Sequence, residues 1–321
     1  MSPAARLAAC AVVVATGFTG GAAAGRVFGP HLLGTPPAAP PPASVPGEDP
    51  EDPHAGHHPR GATDPDDAAG EAGTEAGAEA TPGAGGLLVS DAGHTLSAPT
   101  TVLTGVAGES FSFRILGPDG GAVTTYETRH ERELHLVVVS RDLATYHHLH
   151  PDRAPDGTWT VALPALAPGA HHAFASFAPA DGPDLTLSVG LLVPGLAGAA
   201  PLPVTGPTVL VDGYTVTLGG GPPVPGAAST VTLTVSRDGV PVTDLEPYLG
   251  ALGHLVALRA GDLAYAHVHP VEAEGSGPSV AFVLDLPSPG DFRLFFDFAH
   301  AGTTHTAAFT LHVPPASEAA P

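Results

Sequence analysis

The chain has 321 residues, with 32 acidic against 11 basic side chains and a formal charge of −21, which excludes nucleic acid as a partner because such a surface repels a polyanion. Glycine and proline number 41 and 37, near the level at which an unperiodic chain stays disordered, yet 43% of the residues are hydrophobic and can form cores. Histidine is the imbalance to explain: 18 residues, more than all the basic ones, beside one cysteine and one methionine.

After Arg6, residues Leu7 to Gly25 carry no charge, and Leu7 to Ala15 are the most apolar. That length suits a secretory h-region, with Ala22, Ala23 and Ala24 as a cleavage site. It also just reaches across a bilayer. Residues 1–26 are therefore expected to be a signal peptide or a membrane anchor. Either places the rest outside the cytoplasm, secreted or anchored to the cell membrane, with membrane contact only through this segment. Cys10 reads as an ordinary residue of the segment, so the remainder has no thiol and no disulfide to stabilise it.

Residues 27–86 are rich in Pro, Ala, Gly, Asp and Glu and lack the apolar area to offset backbone entropy, which predicts a disordered acidic linker. Ten acids between Glu48 and Glu79 oppose Arg60 alone and supply −9 of the −21. His54, His57 and His58 lie close together on this tether, enough for loose capture of a divalent ion or simply part of a solvated spacer.

From Leu87 onward, short Val-, Thr- and Phe-rich runs alternate with Gly, Pro and Asp. Examples are Phe111 to Ile115, Leu134 to Val139, Thr158 to Leu163, Leu185 to Val193, Thr230 to Val235, Leu255 to Leu258, Val280 to Leu284, Phe292 to Phe298 and Thr306 to Val313. These predict strands, and no stretch beyond the N-terminus sustains a helical period. An internal repeat organises them. His135 to Pro151 laid over His254 to Pro270 at a shift of 119 gives seven identities in seventeen, among them all three histidine pairs. Pro168-Gly169 with Phe174 and Phe177 matches Pro289-Gly290 with Phe295 and Phe298, and each copy closes on Val-Pro. The expected fold is all-β: two tandem immunoglobulin-like β-sandwiches, repeat 1 at 88–195 and repeat 2 at 203–314, followed by a disordered tail at 315–321.

Strand alternation puts Tyr146, His148 and His150 on one face, and likewise Tyr265, His267 and His269. A short Asp-containing turn joins each set to the preceding run, so an antiparallel hairpin brings His135 to His148 and His150, and His254 to His267 and His269. Three imidazoles per repeat can converge. Without cysteine or methionine in the domains, blue-copper and Cu(I) sites are excluded, leaving imidazole and carboxylate chemistry suited to copper as Cu(II) or to zinc, with Ni(II) third. Repeat 2 reads as the more complete, since Asp297, His300 and His305 cluster near its last strands, where repeat 1 has Ser176 and Leu185. Repeat 1 adds His130, His147, His171 and His172. The plain alternative is that each histidine hydrogen-bonds a turn carbonyl and recurs by duplication. Asp142 and Asp262 read as turn residues, and Tyr146 and Tyr265 as packing residues.

The tandem HLxxxxxDLxxxxHxHP units behind an apolar segment and an acidic linker resemble a group of bacterial secreted or membrane-anchored proteins of high-GC organisms. That resemblance spans both β domains and implies extracytoplasmic handling of a heavy metal such as copper, with no catalytic residues to carry over. His267-Val-His269 is similar to the H-V-H of copper-zinc superoxide dismutases, but that family's paired cysteines and active-site arginine have no counterpart here, so the similarity is local.

Three functions follow. The first is a non-catalytic extracytoplasmic protein binding a divalent metal ion; the second is a structural module docking another envelope protein; the third is a copper redox enzyme. No serine-nucleophile elbow, phosphate loop or zincin motif supports a hydrolase or transferase. If imidazoles bind the metal, binding weakens below about pH 6, where they protonate.

Overall fold

The computed structural model describes residues 85–315 except 181, 199, 204–205 and 272–274, together with the backbone but not the side chain of His267. The apolar N-terminal segment, nearly all of the acidic linker with its three histidines, and the tail from 316 lie outside the described residues. Among the described residues no helix is long and apolar enough to cross a membrane.

Among the described residues every element is a strand. Repeat 1 carries β1 (Ser90–Asp91), β2 (His94–Ser97), β3 (Ser110–Leu116), β4 (Leu134–Ser140), β5 (Tyr146–Leu149), β6 (Asp152–Arg153), β7 (Thr158–Ala162), β8 (Gly169–Phe177) and β9 (Leu185–Val193). Its sheets run β1-β2-β3-β7-β6 and β5-β4-β8-β9. Repeat 2 carries β10 (Thr208–Val211), β11 (Tyr214–Gly219), β12 (Ala228–Arg237), β13 (Val240–Pro241), β14 (His254–Arg259), β15 (Tyr265–Pro270), β16 (Ser279–Asp285), β17 (Gly290–His300) and β18 (Thr303–Val313). Here the two sheets are continuous, in the order β10-β11-β12-β16-β15-β14-β17-β18. All pairings between these strands are antiparallel. Both repeats are immunoglobulin-like sandwiches.

Each sandwich fills with its inward-facing alternate residues. Phe111, Phe113, Ile115, Leu136, Trp159 and Leu187 lie in the core of repeat 1, and Leu233, Phe282, Leu294, Phe296, Phe298 and Phe309 in that of repeat 2. Trp159, without a counterpart in repeat 2, packs edge-on against Tyr126 at 5.2 Å between ring centroids and donates its indole N–H to the phenol oxygen.

A third apolar cluster joins the repeats. It comprises Val137, Val139, Leu143 and Phe174 from repeat 1 and Val256, Leu258, Leu263 and Phe295 from repeat 2. These are the residues of β4, β8, β14 and β17 that alternation turns away from each sandwich's own core. The contact is reciprocal: Tyr146 stacks on Phe295 with centroids 4.2 Å apart, and Phe174 meets Tyr265 at 5.6 Å. Tyr146 and Tyr265, and likewise Phe174 and Phe295, hold equivalent places in the repeat. The two sandwiches therefore share a self-complementary face about a pseudo-two-fold axis.

Both hairpin turns are built alike. Asp142 Oδ1 accepts from the Ala144 N–H and Asp262 Oδ1 from the Ala264 N–H, and the next residues, Leu143 and Leu263, turn through φ of 56° and 70°. The strands that follow behave differently. In repeat 1, β5 stays on β4, pairing His148 with Val137 and Leu149 with Leu136, before β6 crosses to β7. In repeat 2, β15 pairs with β14 only at Tyr265 and Ala266, and from His267 onward pairs with β16.

Candidate metal centre at the junction of the repeats

The β4–β5 register puts His148 on the same face as Val137 and brings His135 and His150 beside it. Among the described residues, His135, His148 and His150 are the one group offering three ligand atoms, all within 4.8 Å of one another. Ring centroids lie 4.9 Å apart for His148 and His150, and 5.3 Å apart for His135 with each of them.

What surrounds these rings sets which nitrogens carry protons. His135 Nε2 lies 3.0 Å from the Arg129 carbonyl oxygen, which can only accept, so this nitrogen holds the hydrogen and Nδ1 holds the lone pair. The tight Arg129–Arg132 turn, with His130 and Glu131 at φ of 47° and 62°, delivers that carbonyl. His148 donates Nδ1–H to Asp297 Oδ2 across 3.0 Å, which leaves Nε2 as its free position. His135 Nδ1 and His148 Nε2 then face each other at 3.1 Å. Two lone pairs at that distance repel unless a cation lies between them: a proton, making His148 an imidazolium paired with Asp297, or a metal ion. Two nitrogens bound to one zinc-like ion at about 2.0–2.1 Å stand about 2.9–3.4 Å apart. His150 contributes a buried Nε2 with no hydrogen-bond partner.

Asp297 comes from repeat 2. It pairs across the strands with His254, so it faces the junction, where it is 2% exposed. Its carboxylate accepts from three donors: the Tyr146 hydroxyl at 3.0 Å and His148 on Oδ2, and the Thr306 hydroxyl at 2.6 Å on Oδ1. A buried carboxylate needs such pairing to offset its desolvation.

The imidazoles around it are biased toward the neutral form that binds metals. Burial, moderated by the Arg129 carbonyl and reinforced by His148, brings His135 down to about 4. Burial and the neighbouring His148 and His135 bring His150 down to about 3. Burial with His148 and His130 does the same for His254, also to about 3. His130 is lowered by burial and by His269. Burial and the Asp297 charge push Tyr146 well up and Tyr248 to about 12, so both phenols keep their protons. The Arg132 charge acts on His135 and His150 against a cation. A cleft of about 230 Å³ reaches the site between Tyr146, His148, Tyr248, Asp297, Thr304 and Thr306.

The other sequence candidates fall elsewhere. His254 stacks against His135 at 5.9 Å and edge-on against His130 at 4.9 Å, with Nε2 directed at the Leu249 carbonyl. It forms the wall of the site. The crossing of β15 carries His267 and His269 to β16, where they pair with Asp285 and Val283. The His267 side chain lies outside the described residues, and His269 is exposed. His300 and His305 were expected beside Asp297, but alternation along β17 and β18 points them to the opposite face, toward Tyr214 and Phe298. There His300 bonds the Tyr214 hydroxyl and Asp244, and His305 bonds Asp212. Among the described residues the one three-histidine cluster is in repeat 1, and the His267 side chain needed for its counterpart in repeat 2 lies outside them. His171 and His172 are engaged by the Ala167 carbonyl and the Ser188 hydroxyl. Sequence reading missed the Arg129 carbonyl, Thr306 and the second role of Tyr146. Only the equivalence of Asp297 and Ser176 signalled that this position differs between the copies.

Residues 208–315 match a family model described as a domain of unknown function (DUF8832), about the extent of repeat 2. No curated protein matches the chain. Among solved structures, the chain is similar to the Escherichia coli adhesin FdeC (14% identity, 70% of this chain and 65% of that one, TM-score 0.24). It is also similar to the Yersinia pseudotuberculosis adhesin InvE (12%, 69% and 59%, TM-score 0.22) and to a marsupial T cell receptor (12%, 69% and 99%, TM-score 0.21). It thus spans just under two thirds of the two adhesin chains.

Proposed function

We propose that this protein binds one divalent metal ion, Cu(II) or Zn(II), outside the cytoplasm through His135 Nδ1, His148 Nε2 and His150. The observation that carries this reading is the approach of His135 Nδ1 and His148 Nε2 to 3.1 Å while the opposite nitrogen of each ring is committed to the Arg129 carbonyl and Asp297. Ring nitrogens held by carbonyl and carboxylate partners are the usual support of metal-bound histidines. The imidazole-only donor set suits these borderline ions better than Ca(II) or Mg(II), which take oxygen ligands. Placement outside the cytoplasm rests on the export-like segment Leu7 to Gly25. The role is binding and buffering rather than catalysis.

The test is elemental analysis of the full-length protein after loading with each metal and desalting. We expect near one equivalent per chain, lost in His148→Ala and kept in a His300→Ala, His305→Ala double variant. No retained metal in the wild type, or equal retention in His148→Ala, sinks the proposal.

A further inference from the structure

The metal reading leaves one residue without a role confined to its own repeat. Asp297 belongs to β17 of repeat 2, yet its hydrogen-bond donors on Oδ2 are Tyr146 and His148 of repeat 1. The equivalent position on the other side of the pseudo-two-fold axis is Ser176, paired with His135 as Asp297 is paired with His254. Ser176 lies beside the Tyr265 phenol, and its hydroxyl hydrogen-bonds Thr186 at 3.0 Å, so a polar group meets the tyrosine on both sides of the junction while the carboxylate is present on one. A carboxylate adds an acceptor that fixes His148 with Nδ1 protonated and Nε2 aimed at His135.

Resting on the binding site proposed above, we infer that Asp297 is a positioning residue acting across the junction, and that metal bound by repeat 1 fastens repeat 2 onto it. The ligands sit on β4, on β5 and just after it, and these strands also present Val137, Val139 and Tyr146 to the other sandwich. Asp297 sits beside Phe295, on which Tyr146 stacks. Undocking repeat 2 removes the Asp297 bond from His148, opens the wall formed by His254, and exposes the site to water. Whatever the docked arrangement adds to metal affinity, the metal returns to docking, because linkage between two equilibria is reciprocal. The junction is held by apolar packing in either state, and the metal strengthens it.

The experiment uses the full-length chain and Zn(II) as probe. Affinity is measured by competition with a colorimetric chelator for wild type, Asp297→Asn, Asp297→Glu and Ser176→Ala. Asparagine can present its NH₂ to His148 Nδ1 and impose the wrong tautomer, so Asp297→Asn is expected to bind about 10–100-fold more weakly. Asp297→Glu should recover part of the loss, which a purely structural role would not give, and Ser176→Ala should stay within about two-fold of wild type. Hydrogen exchange of the wild type, with and without Zn(II), reads docking without any variant. We expect slower exchange in β14 and β17 of repeat 2, although every ligand lies in repeat 1. If the wild type binds Zn(II) but exchange in β14 and β17 does not respond, or Asp297→Asn binds as tightly as wild type, the linkage is overturned and the metal site stands. If the wild type binds no Zn(II), both fall.

Discussion

A single glycine fixes how close β14 can begin to β17. A Cβ added at Gly253 would meet Phe296 Cε2 at 2.5 Å and the Asp297 carbonyl oxygen at 2.8 Å, and the second is backbone that cannot swing away. We expect Gly253→Ala to destabilise the protein by about 1–3 kcal/mol through overpacking. It should also weaken metal binding, since the displaced segment carries Asp297 and adjoins His254; a thermal melt and a Zn(II) titration of the same sample read both effects. The importance of this glycine was not readable in the sequence, where it is one of 41. The histidines were more readable, because period-two alternation places His135, His148 and His150 on one face once a hairpin is assumed. The partner of His148 was not. An alignment of the repeats shows that Asp297 and Ser176 are equivalent, but it is silent about what faces either one from the other repeat.

At the scale of elements, the hairpin turn was readable and the fate of the strand after it was not. Asp at 142 and 262 announces the turn, and the repeated H-x-H announces the strand. Nothing in either pattern says when the strand leaves its partner for the other sheet, because alternation fixes faces and not which neighbour supplies the backbone bonds. That crossing distinguishes the two hairpins: β5 keeps His148 on β4, whereas β15 pairs His267 with β16. The turns offer a direct comparison. Asp142 accepts from the Ser140 hydroxyl and the Ala144 and Ala200 N–H groups. Asp142→Ala should cost about 1–2 kcal/mol, loosen the β5 register and lower Zn(II) affinity. Asp262→Ala should destabilise comparably and leave affinity within about two-fold, since β15 carries no proposed ligand. Equal affinity losses in the two variants would argue against a site confined to the first hairpin.

For the whole molecule, the number and kind of domains followed from composition and internal similarity, whereas their arrangement did not. The junction residues Val137, Val139, Val256 and Leu258 belong to continuous apolar runs, which predict strands buried on both faces without saying what buries the second. Docking makes the repeats mutually dependent, and Trp159, the single tryptophan, reports on repeat 1 alone. Phe295→Ala, a truncation in repeat 2, should cost about 3–5 kcal/mol and move the Trp159 fluorescence transition to lower denaturant. If that transition stays in place, the repeats unfold independently and the junction contributes little. The self-complementary face has a further meaning for descent. A pair of free, identical copies must change both sides of a two-fold axis at once, so an acid gained at one site appears twice. A covalent tandem lifts that constraint, and one copy can keep a serine while the other acquires an aspartate. Joining the copies in one chain is what permits the two halves to differ at this one position, with Asp297 in one and Ser176 in the other.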